Sequence, residues 1–307
     1  MSESIAPSDE LSQLRRAAEL AGVEVTEMAL PTDKNVVLGG MRFHYLDWGN
    51  EGRRPIVFLH GGGLTAHTYD LVCLALRPEH HCIALDLRGH GDSEWSPVMD
   101  YGIESNAGDV AAFVEHLALP ELVLVGMSLG GLTALQYAGE HSARLAGLVV
   151  IDIGPQFQRA GSNKIREFLA APAEHGSVED FVRSAKAFNP RRDEALLRRS
   201  LLHNLRRTPA GTWVWKWDPR RRAATESDSE DRRSARLWES VDRIRCSTLV
   251  VRGAESEIFL EADAVALTSR LPSGRWTTIE NAGHTVQGDN PAGLVAALRP
   301  FLAEVAG

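Results

Sequence analysis

Ser128 is the residue in this chain best placed for nucleophilic chemistry. It stands in Gly126-Met127-Ser128-Leu129-Gly130-Gly131, after the apolar run Leu122 to Val125 and before a helical pattern from Leu129 to Glu140. A serine flanked in this way at a strand-to-helix junction sits on a sharp turn with its hydroxyl in the open. The glycines answer a steric need: where strand and helix approach this closely, a Cβ on either side of the serine would clash. A serine hydroxyl is a poor nucleophile at neutral pH, so it requires a base, and the base requires an orienting acid.

The expected base is His284. It follows the last apolar strand in Asn281-Ala282-Gly283-His284, and a helix begins soon after at Pro291. In parallel sheets ligands lie beyond the carboxyl ends of the strands, so partners of Ser128 should stand just after strands. Three carboxylates meet that condition. Glu255 and Glu257 follow the strand Thr248 to Val251, and Asp152 follows the preceding strand, from which it could reach the same histidine. Glu257 is the preferred candidate. A hole for a developing oxyanion needs two donors aimed at one point. The backbone N–H of Leu129 is one, and the loop His60-Gly61-Gly62-Gly63 supplies the other, with Gly62 as the expected donor. A dinucleotide or phosphate loop is excluded, because there is no Gly-x-Gly-x-x-Gly at a strand–helix junction and no Gly-Lys-Ser/Thr.

The elements that must position these residues alternate. Strands are expected at Val36 to Gly40, Met41 to Trp48, Pro55 to Leu59, Cys82 to Leu85, Leu122 to Val125 and Leu145 to Ile151. Helices are expected at Ala66 to Leu76, Asn106 to Leu117 and Leu129 to Glu140. Short, continuous apolar strands separated by helices imply an α/β fold with a parallel sheet buried on both faces. The rhythm breaks at Gly154 and resumes near Arg245, which divides the chain into an N-terminal arm (1–34), a core (35–153 and 246–307) and an inserted cap (154–245). Within the insertion, helical patterns cover Val178 to Phe188 and Asp193 to Leu205, and Arg220 to Arg233 reads as a solvated, mobile loop. Trp213, Trp215 and Trp217 alternate, so on an extended segment their rings share one face. They pin the cap to the body or wall the substrate; on the second reading Trp213 and Trp215, with Gly61 and Met127, contact substrate.

Taken together, His60 to Gly63, Asp86-Leu87-Arg88-Gly89-His90-Gly91-Asp92-Ser93, Gly126 to Gly131 and Gly283-His284 resemble the α/β-hydrolase fold family over roughly residues 35 to 155 and 245 to 305. The resemblance implies an eight-stranded, mostly parallel sheet flanked by helices, with a helical cap. It implies the chain order nucleophile, acid, histidine, and a structural role for Asp86 to Ser93. One departure stands out: Ser256 occupies the place where many relatives carry the acidic residue. A subset reads Arg-Gly-x-x-Ser-Asp, and Glu257 fills its last place.

The resemblance further implies a serine hydrolase of small, largely apolar esters or lactones, working through an acyl-enzyme. Carbon–carbon bond (vinylogous diketone) hydrolysis and cofactor-free perhydrolysis are the neighbouring chemistries, and a non-catalytic small-ligand receptor is the reading of another class. No metal or organic cofactor is expected. Composition narrows the partners. With 33 basic against 41 acidic residues the net charge is -8, which disfavours nucleic acid and anionic membranes. A small-molecule substrate is expected, and a homodimer is compatible with the sequence. Three cysteines without ligand spacing, a polar N-terminus and no long apolar run make a cytoplasmic protein the expectation.

Overall fold

The computed structural model describes residues 7–170, 174–221 and 230–305. In chain order the first half carries α1 (Pro7–Leu20), β1 (Thr32–Leu38), β2 (Met41–Asp47), β3 (Pro55–Leu59), α2 (Asp70–Leu76), β4 (His81–Leu85), α3 (Ile103–His116), β5 (Leu122–Met127), α4 (Leu129–His141) and β6 (Leu145–Ile151). There follow α5 (Arg159–Ala170), β7 (Glu174–His175), α6 (Val178–Phe188), α7 (Glu194–Asn204), β8 (Leu205–Arg207) and β9 (Trp213–Trp215). The chain closes with α8 (Glu230–Val241), β10 (Ser247–Gly253), α9 (Glu261–Ser269), β11 (Gly274–Ile279), α10 (Val286–Asp289) and α11 (Pro291–Glu304).

Eight strands form one sheet in the order β1-β2-β4-β3-β5-β6-β10-β11. β2 runs antiparallel to both neighbours, and every other pairing is parallel. The β3 and β5 side chains alternate between two apolar layers. Val57, Leu59, Leu122 and Leu124 face one, and Ile56, Phe58, Val123 and Val125 face the other. This two-residue period, with both faces covered by helices, explains why these strands read as unbroken apolar runs.

The arm and the insertion are more embedded than their sequences suggest. Leu14 and Ala18 of α1 are buried in the second layer. Leu237, Val241 and Ile244, in and just after α8, belong to the first, so the last part of 154–245 packs as core. Between β6 and α8, a three-stranded sheet β7-β9-β8 and helices α6 and α7 enclose a small cluster of their own around Phe181, Leu197 and Leu201. Of the expected mobile loop Arg220 to Arg233, residues 222–229 lie outside the described residues. Arg221 is not solvated as that reading required: its guanidinium bonds His90 and lies over the Tyr101 ring. Cys73 and Cys82 are buried, Cys246 is half-buried, and all three are free thiols. No helix among the described residues is long and apolar enough to cross a membrane.

The turn Asp86 to Ser93 is a brace. Arg88 forms a two-pronged ion pair with Asp109 of α3, and the buried Asp86 carboxylate accepts from the N–H groups of Ala66 and Asp92. His44 donates one ring nitrogen to Asp86 (2.8 Å) and the other to Asp33 (3.0 Å), which requires the imidazolium form. Burial alone would push His44 down, but the hydrogen bonds to the two carboxylates outweigh it and hold its pKa at about 9. A group raised in the folded state contributes stability that is complete below its unfolded pKa and fades as pH rises through the folded one. The melting temperature should therefore fall by a few degrees between about pH 7 and 9.5. His44→Gln should flatten that decline in a scanning-calorimetry pH series, and an unchanged slope in the variant would remove His44 as its cause.

Candidate active site

β5 ends at Met127 and α4 begins at Leu129, leaving Ser128 alone to make the turn. Its backbone adopts φ 52° and ψ -116°, a region that L residues avoid and that costs on the order of 1–3 kcal/mol when occupied. Surrounding bonds enforce it. Ser128 N donates to the Ile151 carbonyl (3.1 Å), Leu132 N to that of Ser128 (2.9 Å), and Gly130 N to that of His60 (3.0 Å). The flanking glycines are required sterically. A Cβ on Gly126 would stand 2.2 Å from the Gly130 carbonyl oxygen, and one on Gly130 would stand 2.2 Å from that of Leu59. Both obstacles are backbone and cannot swing aside. Gly130→Ala should therefore lower unfolding stability by about 1–3 kcal/mol, read as a reduced urea midpoint at constant slope. An unchanged midpoint would mean that the turn yields.

Two other non-glycine residues with positive φ stand at the same edge: Asp152 (φ 54°) after β6 and Asn281 (φ 55°) after β11. Asp152 is fully buried. One carboxylate oxygen accepts from Gly253 N (2.8 Å). The other accepts from Ser256 Oγ (2.5 Å) and from His284 Nδ1 (2.9 Å). His284 and Ser128 line one cavity of about 330 Å³, within the size range of small-molecule sites.

Gly61, Gly62 and Leu129 line the same cavity. The Leu129 N–H belongs to the first turn of α4, where helix donors have no intrahelical acceptor. His60 orients the glycine loop. Leu87 N donates to its Nε2 (3.0 Å), so its proton sits on Nδ1 and is donated to the Gly61 carbonyl (2.8 Å). Burial also pushes the His60 pKa down, in keeping with a neutral ring. With the Gly61 carbonyl turned toward His60, the planar trans peptide turns the next N–H, that of Gly62, the opposite way. Nothing lies within 4 Å of where a Gly62 Cβ would be.

A model of the alpha/beta hydrolase family matches residues 56–298. The chain belongs to the alpha/beta hydrolase family. This hydrolase is 35% identical over 301 residues to the esterase Rv0045c of Mycobacterium tuberculosis, covering 96% of both chains. A crystal structure of that esterase superposes with a TM-score of 0.78 at 33% identity, over 98% of this chain and 100% of the other. A 3-hydroxybutyrate-oligomer hydrolase of Cupriavidus necator is 24% identical over 273 residues, 85% of this chain and 92% of its own.

Within this family frame the structure corrects the acid. Glu257 does not reach His284. Its side chain is 65% exposed and pairs with Lys164 of α5, while Glu255 pairs with Arg191 at 3.1 Å. Both tie the core to the insertion. Asp152 takes the position against the histidine, and Ser256, between the two glutamates, supports it. Ser256 is the residue that sequence reasoning missed. Its signal was present: a hydroxyl where relatives carry an acid, with an aspartate waiting after the adjacent strand.

Of the proposed substrate contacts, Gly61, Met127 and Trp215 line the cavity. Trp213 is not among the lining residues and packs on the small cluster of the insertion. The tryptophans thus part: Trp215 stands at the cavity, while Trp213 packs within the insertion and not against the body. Trp215 meets Phe181 edge-on at 4.9 Å while facing the cavity. Trp217 is buried.

Proposed function

We propose that this hydrolase cleaves a carboxylic ester or lactone through an acyl-enzyme, with Ser128 as nucleophile, His284 as base and Asp152 as the orienting acid. The observation that carries the reading is the Asp152–His284 hydrogen bond beside a cavity that also holds a serine on a strained elbow. Ser128 attacks the carbonyl carbon, and His284 Nε2 takes its proton. Asp152 fixes the Nδ1–H tautomer and stabilises the imidazolium. The N–H groups of Leu129 and Gly62 receive the oxyanion. His284 returns the proton to the leaving alcohol, and water repeats the sequence on the acyl-enzyme. The esterase similarity supports the ester bond as the target.

The apolar wall, including Phe157, Phe168, Phe188 and Trp215, suits a largely apolar substrate. Residues 154 to about 221 act as the cap that selects it. Hydrolysis of p-nitrophenyl acetate together with covalent labelling by a fluorophosphonate probe is the expected result. A protein that does neither would be a receptor on the same scaffold.

A further inference from the structure

The charged side chains lining the Ser128 cavity are of one sign. Among the described lining residues they are Arg192, Arg221 and Arg233, with no aspartate or glutamate. The chain as a whole carries a net charge of -8, so the cavity runs against the field of the molecule. Arg192 decides what this means. It sits in the short turn between α6 and α7, where the backbone is pinned from both sides. Lys186 Nζ donates to the Arg192 carbonyl (2.6 Å), and Asp193 caps α7 through the N–H groups of Ala195 and Leu196.

The Arg192 side chain lies over Gly288, where a Cβ would stand 2.9 Å from the guanidinium carbon. Its Nε is buried and has no hydrogen-bond partner. No carboxylate among the described residues lies within ion-pairing distance of it. The nearest influence is Asp289, and that carboxylate already accepts from Asn189 Nδ2 (2.8 Å) and Gly283 N (2.9 Å). Burial pushes the Arg192 pKa below the usual arginine range, and the apolar Phe188, Leu197 and Leu201 line the same cavity. Arg192 is half-buried with its Nε shut off from water, and such a guanidinium is better satisfied when a ligand supplies an anion. A fork of N–H donors matches a carboxylate better than any neutral group.

We propose that Arg192 is a substrate-binding residue for a carboxylate, so that the preferred substrate is an ester carrying a free carboxylate remote from the scissile bond, such as a half-ester of a dicarboxylic acid. The inference rests on the ester-hydrolase reading and adds the substrate's charge to it.

The test compares monomethyl adipate with methyl hexanoate in a pH-stat. Wild-type kcat/KM should favour the charged ester by about tenfold or more, and Arg192→Gln should erase most of that ratio, chiefly through KM. Arg192→Lys should restore part of it. A wild-type ratio near one, or a ratio unchanged in a folded Arg192→Gln protein, would overturn the proposal. Calorimetric titration of the wild type with hexanoate and with hexanamide reads the same site without turnover. Tighter binding of hexanoate, weakening as salt rises, supports a carboxylate subsite, and equal binding of the two ligands refutes it. Loss of hydrolysis toward both esters would instead strike the ester reading, and the titration would still decide the role of Arg192.

Discussion

Asp152→Asn should lower kcat on p-nitrophenyl acetate by about 10⁴-fold, while Glu257→Gln should stay within about threefold of wild type. The difference follows from what each carboxylate touches. Asp152 is fully buried, and three donors converge on it: Gly253 N, Ser256 Oγ and His284 Nδ1. An asparagine there keeps one acceptor, which the Gly253 N–H claims because a backbone donor cannot turn away, whereas the Ser256 hydroxyl can rotate to accept instead. Its NH₂ then faces the imidazole and favours the tautomer with Nδ1 as acceptor, so that Nε2 carries a proton and cannot take one from Ser128. Glu257 holds only a solvent-exposed ion pair to Lys164, which contributes little. Kinetics of the two variants, with circular dichroism to confirm folding, separate the assignments. An inactive Glu257→Gln beside an active Asp152→Asn would restore the glutamate. Ser256→Ala should fall between them, because it removes one of the donors that hold Asp152 in place.

Ser128→Ala should abolish fluorophosphonate labelling and reduce turnover by about 10⁴- to 10⁶-fold, leaving the rate that binding and oxyanion stabilisation alone provide. Its stability should remain near wild type, since alanine keeps the Cβ and with it the strain at φ 52°. Ser128→Gly should be more stable than Ser128→Ala by about 1 kcal/mol, because glycine occupies that backbone region without a steric penalty. Urea denaturation of the pair reads the strain that the elbow stores in order to expose the hydroxyl. Equal midpoints would mean that the turn is not strained, and retained turnover in Ser128→Ala would remove the nucleophile.

The local sequence determined a good deal. The buried strands β3, β4, β5 and β6 were legible because a strand covered on both faces must be apolar throughout, and their neighbours carry turn and helix signals. The eight-strand count was not legible in these runs and came only from the resemblance to the family. Ser128 was legible because only Gly126 and Gly130 permit the close approach of α4 to β3 and β5. His284 was legible because it directly follows a strand whose carboxyl end must face the same edge. These are constraints between residues close in sequence, which a linear reading can check.

The acid was of another kind. Asp152 and Glu257 both follow strands at the same edge of the sheet, and composition and spacing do not say which side chain turns inward. Tertiary structure settled the geometry. β6 and β10 are adjacent, so Asp152, bent inward at φ 54°, meets Ser256 from the next strand and His284 from beyond β11. Glu257 turns outward to a lysine on α5. The same holds for the tryptophans and the arginines of the insertion. Trp215 and Arg192 face the cavity and Trp213 does not, because the small β7-β9-β8 sheet and the α6–α7 turn aim each side chain separately. Residues distant in sequence converge there on one point, and only the packed fold contains that point.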